Sequence, residues 1–163
     1  METFQDAQDA KTTDHTSTYL AADRHGGLHP DQKQMQILLD MAERKVEGPF
    51  HFLNLLSFRD SALYPEGHEF AKLGLSGKEA YNSHYGPVAF EHVTKRGGRL
   101  TVLADVEFCV LGQGHQWHQA ATMEYQSIEA FLDMGQDPDY QASLVHRDAG
   151  LTETIVLATR PLL

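Results

Sequence analysis

The sequence predicts an α+β fold with the order strand, helix, strand, strand, helix, strand, and three segments carry that prediction. Residues 50–56 (FHFLNLL) are a short apolar run bounded by breakers. Residues 99–111 (RLTVLADVEFCVL) alternate apolar and polar side chains. Residues 78–96, between them, repeat aromatic and apolar groups at three- and four-residue spacing. With 163 residues, 41% hydrophobic and 22% charged, the chain has the size and composition of one globular domain with its own core.

The chain divides near residue 30. Residues 1–29 show no period of 2 or 3.6 and read as an N-terminal arm, flexible or docked, ahead of a domain over residues 30–163. Asp31 stands where it can cap a helix over 31–45 that carries Met35, Leu38, Leu39 and Ala42 on one face. Gly48-Pro49 breaks that helix ahead of the first strand. A polar loop over 59–77 leads to the helix at 78–96, which Gly86-Pro87 must kink because Pro87 has no N–H to give. Gly97-Gly98 stops it.

In the strand over 99–111, Leu100, Val102, Ala104, Val106, Phe108 and Val110 form an apolar row, while Arg99, Thr101, Asp105, Glu107 and Cys109 take the other phase. One face is therefore expected on helices and the other against something polar. A second strand from Gln116 to Tyr125 closes a hairpin. Ser127 caps a short helix with Ile128, Phe131, Leu132 and Met134, and Asp137-Pro138 opens another that ends near Gly150. Residues 152–159 (TETIVLAT) form the last strand. The order is the ferredoxin-like β-α-β-β-α-β plan, an antiparallel sheet with helices on one face, extended by an N-terminal helix and arm. Because the helices cover one face only, the bare face predicts a homodimer paired sheet to sheet.

Thirteen Lys and Arg against 23 Asp and Glu leave a formal charge of −10, which argues against nucleic acid and anionic membranes as partners. No run approaches the apolar length of a membrane span, and the N-terminus lacks the basic start and apolar stretch of a signal peptide, so a cytoplasmic protein is expected. The single cysteine, Cys109, excludes an internal disulfide; between acidic strand neighbours it reads as a small buried residue and not as a nucleophile. No glycine-rich loop has nucleotide-binding spacing, and no cofactor is expected. The pairs His25/His29 and His115/His118 do not have the geometry of ligand pairs on one helix or strand face, so no metal is expected.

Several side chains are candidates for chemistry. Asn54 lies mid-strand on one face with Phe50, Phe52 and Leu56; its amide is either aimed at a ligand oxygen or satisfied by backbone. Tyr81, His84, Tyr85, Val88 and His92 share a helix face that either handles protons or packs. Trp117 reads as a wall, in the core or at an interface, and His118 is in phase with Thr122 and Glu124. With Asp105 and Glu107 these would line a cavity or a solvated mouth. Arg147 near the end of its helix either answers the helix dipole or clamps a carboxylate.

The segments FLNLLSFRD, AYNSHYG, RGGRL, WHQAATMEYQS and FLDMGQDPDYQASLVHR appear in an order that resembles the uncharacterised dimeric α/β-barrel family known as domain of unknown function 1330. The resemblance covers roughly residues 50–160, with Gln126 standing where that family usually has proline. It implies a ferredoxin-like fold and a dimer, lands on Arg147, and implies no established reaction. Two functions follow as expectations. One is a cofactor-independent enzyme (monooxygenase, isomerase or proton transfer) on a small aromatic or polyketide-like molecule. There Asn54 orients a substrate oxygen, Tyr85 or His84 moves a proton, and Tyr81, Glu107, Trp117, His118 and Arg147 bind. The other is a non-catalytic ligand-binding or interaction protein, in which the same residues pack.

Overall fold

The computed structural model describes residues 27–112 and 116–162. Helix α1 (Gln32–Glu43) begins with a reciprocal cap. The Asp31 carboxylate accepts the Gln34 N–H at 2.8 Å, and the Gln34 side chain accepts the Asp31 N–H at 2.9 Å. The helix buries Met35 and lays Leu38, Leu39, Met41 and Ala42 against the core. Strand β1 (Phe50–Phe58) runs two residues past the apolar heptapeptide.

The central helix is not one regular cylinder. A short turn α2 (Gly77–Glu79) passes into a π-helical stretch, Ala80–Tyr85, before α3 (Gly86–Lys95). The Gly86 N–H donates to the Tyr81 carbonyl, five residues back, and Pro87 follows with no N–H of its own. One widened turn thus absorbs the proline where a kink is expected.

Strand β2 (Arg99–Asp105) and strand β3 (Gln119–Tyr125) form the hairpin; α4 (Ile128–Gln136), α5 (Pro138–Gly150) and strand β4 (Leu151–Thr159) complete the chain. Ser127 and Asp137 cap α4 and α5 as their sequence positions predict. The sheet order is β2-β3-β1-β4, antiparallel throughout, with Asn54 opposite Ala121 on one side and Val156 on the other. This is the ferredoxin-like α+β architecture. None of the helices among the described residues is long and apolar enough to cross a membrane.

The core sits between this sheet and the helices, built on Phe50, Phe52, Tyr125, Ile128, Leu132, Met134 and Tyr140. At the turn into β2, Gly98 lies so close to β3 that a Cβ would strike the Glu124 carbonyl and the Val93 side chain. Glycine at 98 sets how tightly α3 hands the chain to the sheet.

Strand β2 is shorter than residues 99–111 predict, and its faces differ from the simple alternation. The register steps at Thr101, from Leu100 opposite Met123 to Val102 opposite Thr122. After that bulge Leu103, not Val102, shares the helix-facing side with Leu100. The ladder ends with the Val106 N–H on the His118 carbonyl at 3.0 Å, because the His118 N–H turns to the Leu56 carbonyl of β1 at 2.8 Å. Beyond that rung the described residues offer β2 no partner strand. Phe108, Val110 and Leu111 are consequently exposed, and so is Cys109, which is not the buried residue its strand phase implies. Of the N-terminal arm, residues 1–26 lie outside the described residues. Leu28 is buried beside Leu56, Phe58 and Leu151.

Candidate functional site

Between the helices and the helix-facing side of the sheet lies a cavity of about 870 Å3. Alternation along β1 puts Phe52, Asn54 and Leu56 on its floor, beside Gln119, Ala121 and Met123 of β3 and Val156 of β4. Tyr81, Tyr85, Tyr140, Leu144 and Arg147 descend from the helical layer, and Leu28, Leu38 and Met41 close the side nearest α1. The lining is mostly apolar with a few polar groups, the usual make-up of a small-molecule site.

Those polar groups are arranged unevenly. The Asn54 Nδ2 donates to the Phe52 carbonyl at 2.8 Å and to the Ala121 carbonyl at 3.4 Å, so strand backbone holds the amide in place. Its Oδ1 takes no hydrogen bond among the described residues. Gln119 is 95% buried (5% exposed), and its Oε1 also has no hydrogen-bond partner among the described residues. Two amide oxygens on one sheet face thus stand ready to accept.

Opposite them Arg147 brings a permanent positive charge. Its side chain is 12% exposed and, among the described residues, makes one hydrogen bond, from Nη1 to Asp148 Oδ1 at 3.3 Å. The other oxygen of Asp148 meets His29 Nε2 at 2.8 Å, which ties the segment ahead of α1 to α5. Asp148 therefore divides its charge between two partners.

The Tyr85 and Tyr140 hydroxyls meet at 3.0 Å in the buried layer. Burial, reinforced by the neighbouring Tyr85, pushes the Tyr81 phenol up despite the opposing pull of Arg147. Burial also pushes Tyr140 well above the ordinary phenol value. Both phenols therefore keep their protons at neutral pH and can donate a hydrogen bond.

Of the residues the sequence singles out, Asn54, Tyr81, Tyr85 and Arg147 come together on this cavity; His84, Glu107, Trp117 and His118 do not line it. The π turn separates His84 from the two tyrosines: its ring packs 4.7 Å from Phe70 and 5.2 Å from His146, with His68 and Tyr64 beside them. In that cluster the Tyr64 hydroxyl meets His146 Nδ1 at 2.9 Å. His118 Nδ1 accepts the Phe58 N–H at 2.8 Å and its ring stacks on Phe58, which makes it a fastening between β1 and the entry to β3. Trp117 is half-buried just ahead of β3, and Glu107 is exposed beyond the end of β2. Asp105 pairs with Lys78 at 2.8 Å on the surface.

Among the described residues His92, Asp137 and Asp139 are close enough to share a cation. The space already holds one. The Arg96 guanidinium contacts Asp137 Oδ2 and His92 Nδ1, both at 3.3 Å, and Asp133 at 2.6 Å, while Asp137 also caps α5. This is an ion-pair network that joins α3 to the start of α5. His25 and His115 lie outside the described residues.

Gln119 and Tyr140 are the site residues the sequence reading passes over. Gln119 is in phase with Ala121 and Met123, so strand alternation identifies it once the first residue of β3 is known. Tyr140 falls in the same DPDY segment whose Asp137-Pro138 marks the start of α5.

Solved structures share this fold, two of them of one protein. One is that of RPA0582 from Rhodopseudomonas palustris, described as a protein of unknown function and a structural genomics target. It is 28% identical over 85% of this chain and 98% of its own, with a TM-score of 0.71. The other is the methylated form of RPA0582, also 28% identical, over 85% of this chain and 97% of its own, with a TM-score of 0.72. No protein-family profile and no curated protein matches the chain.

Proposed function

We propose that the chain is a small-molecule-binding protein that works as a sheet-to-sheet homodimer of the dimeric α/β-barrel kind, each subunit holding its ligand between helices and sheet. The observation that carries this reading is the cavity of about 870 Å3 with a buried guanidinium and two unpartnered amide oxygens on its walls. Among the described residues Gln119 Oε1 is buried without a partner, and the buried Arg147 has a single 3.3 Å contact, to Asp148. Under-satisfied buried groups lower stability, so a fold that retains both on one cavity, beside the open Asn54 Oδ1, has a use for them. A bound organic molecule would satisfy all three. The dimer rests on the open face of the sheet, where Val102, Ile155 and Leu157 remain 40–49% exposed and Leu53 and Leu55 half-buried. The kinship with domain of unknown function 1330 belongs to the same proposal, supported by the shared order of motifs and by the fold.

A second reading is catalytic, and the Tyr85–Tyr140 hydroxyl pair favours it. Two adjacent phenols near Arg147 are suited to donating hydrogen bonds to a developing oxyanion, with Asn54 positioning the substrate. That corresponds to a cofactor-independent proton transfer or oxygenation on a small aromatic or polyketide-like molecule.

Native mass spectrometry of protein purified without added ligand, followed by denaturation and analysis of the released small molecules, tests the binding reading. A dimer mass carrying an organic molecule in stoichiometric amount is the expected result. A monomer with nothing bound, and no organic molecule retained from a cell extract, would contradict it.

A further inference from the structure

We infer that the ligand of this cavity is an aromatic or otherwise apolar hydroxycarboxylate, its carboxylate on Arg147 and its hydroxyl donating to Gln119, an inference that rests on the small-molecule reading above. The polar groups share one end of the cavity. Gln119 lies opposite Leu56 and Asn54 opposite Ala121, so the two amides sit on one sheet face a single diagonal step apart. Arg147 stands in the last turn of α5, just ahead of Gly150, whose carbonyl takes the Arg59 N–H beyond the same end of β1 at 2.9 Å. Tyr81, whose ring lies 5.5 Å from that of Phe58, is close enough to feel the Arg147 charge. At the other end Phe52 lies opposite Met123, with the Phe131 ring 4.8 Å away. The cavity thus has a head with one cation and two acceptors, and a body that is apolar and aromatic.

Each part selects a chemical group. The guanidinium has one 3.3 Å bond to a carboxylate that also serves His29, which leaves N–H groups to fork onto an incoming carboxylate. The Gln119 Oε1, buried and unpartnered, requires a donor. An ammonium donor would place a second cation beside Arg147 in a desolvated site, so the donor is neutral, and we assign it to a hydroxyl. The apolar end accepts an aryl or branched aliphatic body.

Isothermal titration of the full chain at neutral pH with three matched probes, naphthylglycolate, naphthylacetate and the neutral naphthyl ethanediol, separates these contributions. Naphthylglycolate should bind more tightly than naphthylacetate by about fivefold, the value of one neutral hydrogen bond. Gln119→Met should erase that difference. Arg147→Met should weaken both acids by about 30-fold and change the diol by less than about twofold. Should R147M fail to fold, Arg147→Lys keeps the charge but not the fork, and should weaken the acids alone by about fivefold. If the diol binds as tightly as the acids and R147M affects all three alike, the hydroxycarboxylate assignment is overturned while the cavity remains a ligand site. If none of the three probes binds, the hydroxycarboxylate assignment is overturned, and the small-molecule reading falls with it only when native mass spectrometry also finds no retained organic molecule.

Discussion

The two faces of the sheet are made from the same four strands and meet different surroundings. On the helix-facing side Phe50, Phe52 and Leu56 of β1 are at most 5% exposed. On the opposite side Leu157 of β4, which pairs with Leu53, is 49% exposed. An antiparallel sheet with one solvated face ordinarily alternates apolar and polar side chains. Strand β1 departs from that pattern: Leu53 and Leu55 are as apolar as the residues that face the helices. The strand is written for burial on both sides, and the chain's own helices reach only one. The covered face supplies the cavity, and the bare face is where we place the second copy.

Substitutions on the two faces should therefore fail differently. Phe52→Ala removes a core ring that touches Tyr125 and Phe131, and should cost about 3–5 kcal/mol in urea unfolding. A loss below about 1 kcal/mol would mean that the helix-facing core is looser than its burial implies. Leu157→Asp on the open face should leave subunit stability almost unchanged yet weaken self-association by at least about 100-fold in light scattering coupled to size exclusion. A variant with wild-type association would remove the open face from the interface. Gly98→Ala, at the close approach of α3 to β3, should cost about 1–3 kcal/mol, since the Glu124 carbonyl and Val93 must shift.

The smallest effects are those of pH, and they too divide by face. On the open side the Arg99 guanidinium, at 2.8 Å from Glu124, holds that carboxyl below its usual value, with His51 adding to the effect. A depressed carboxylate contributes stability above its unfolded value near 4.5 and loses it as pH falls through the lower folded value. Glu124→Gln should flatten that acid limb of a stability–pH curve. In the helical layer, burial pushes the His146 imidazole down, with His84 and His68 acting in the same direction against Glu69. The folded state then binds fewer protons than the unfolded one just below pH 6.5, so stability rises with pH through that window. His146→Gln should remove this second limb and leave the acid one in place. If the two substitutions flatten the same window, the separate origins assigned here are wrong.

Much of the fold is legible in the sequence because its signals are local. Breakers at Gly48-Pro49 and Gly97-Gly98, caps at Asp31, Ser127 and Asp137, and the apolar run of β1 each fix a boundary without reference to the rest of the chain. The site is less legible because two irregularities reset the periods on which it depends. The π turn at 80–85 keeps Tyr81 and Tyr85 adjacent, with rings 4.9 Å apart, but swings His84 toward Phe70 and His146. The bulge at Thr101 exchanges Val102 for Leu103 on the helix-facing side, and the early end of β2 leaves Glu107 outside any shared face. Gln119 escapes notice for a related reason: placing the start of β3 three residues early draws attention to Trp117 and His118 instead. Asn54 and Arg147 stand out because a polar group in an apolar strand and a cation near a helix end are conspicuous without any register.

We place a small molecule in the helix-facing cavity. Four methionines in the described residues report on it directly: Met41 and Met123 line the cavity, whereas Met35 and Met134 are almost fully buried in the core and do not. Methyl spectra of protein labelled at methionine, recorded as naphthylacetate is added, should show ring-current shifts at Met41 and Met123 with Met134 unmoved. Saturable binding with Met41 and Met123 unmoved would place the molecule elsewhere and contradict the account.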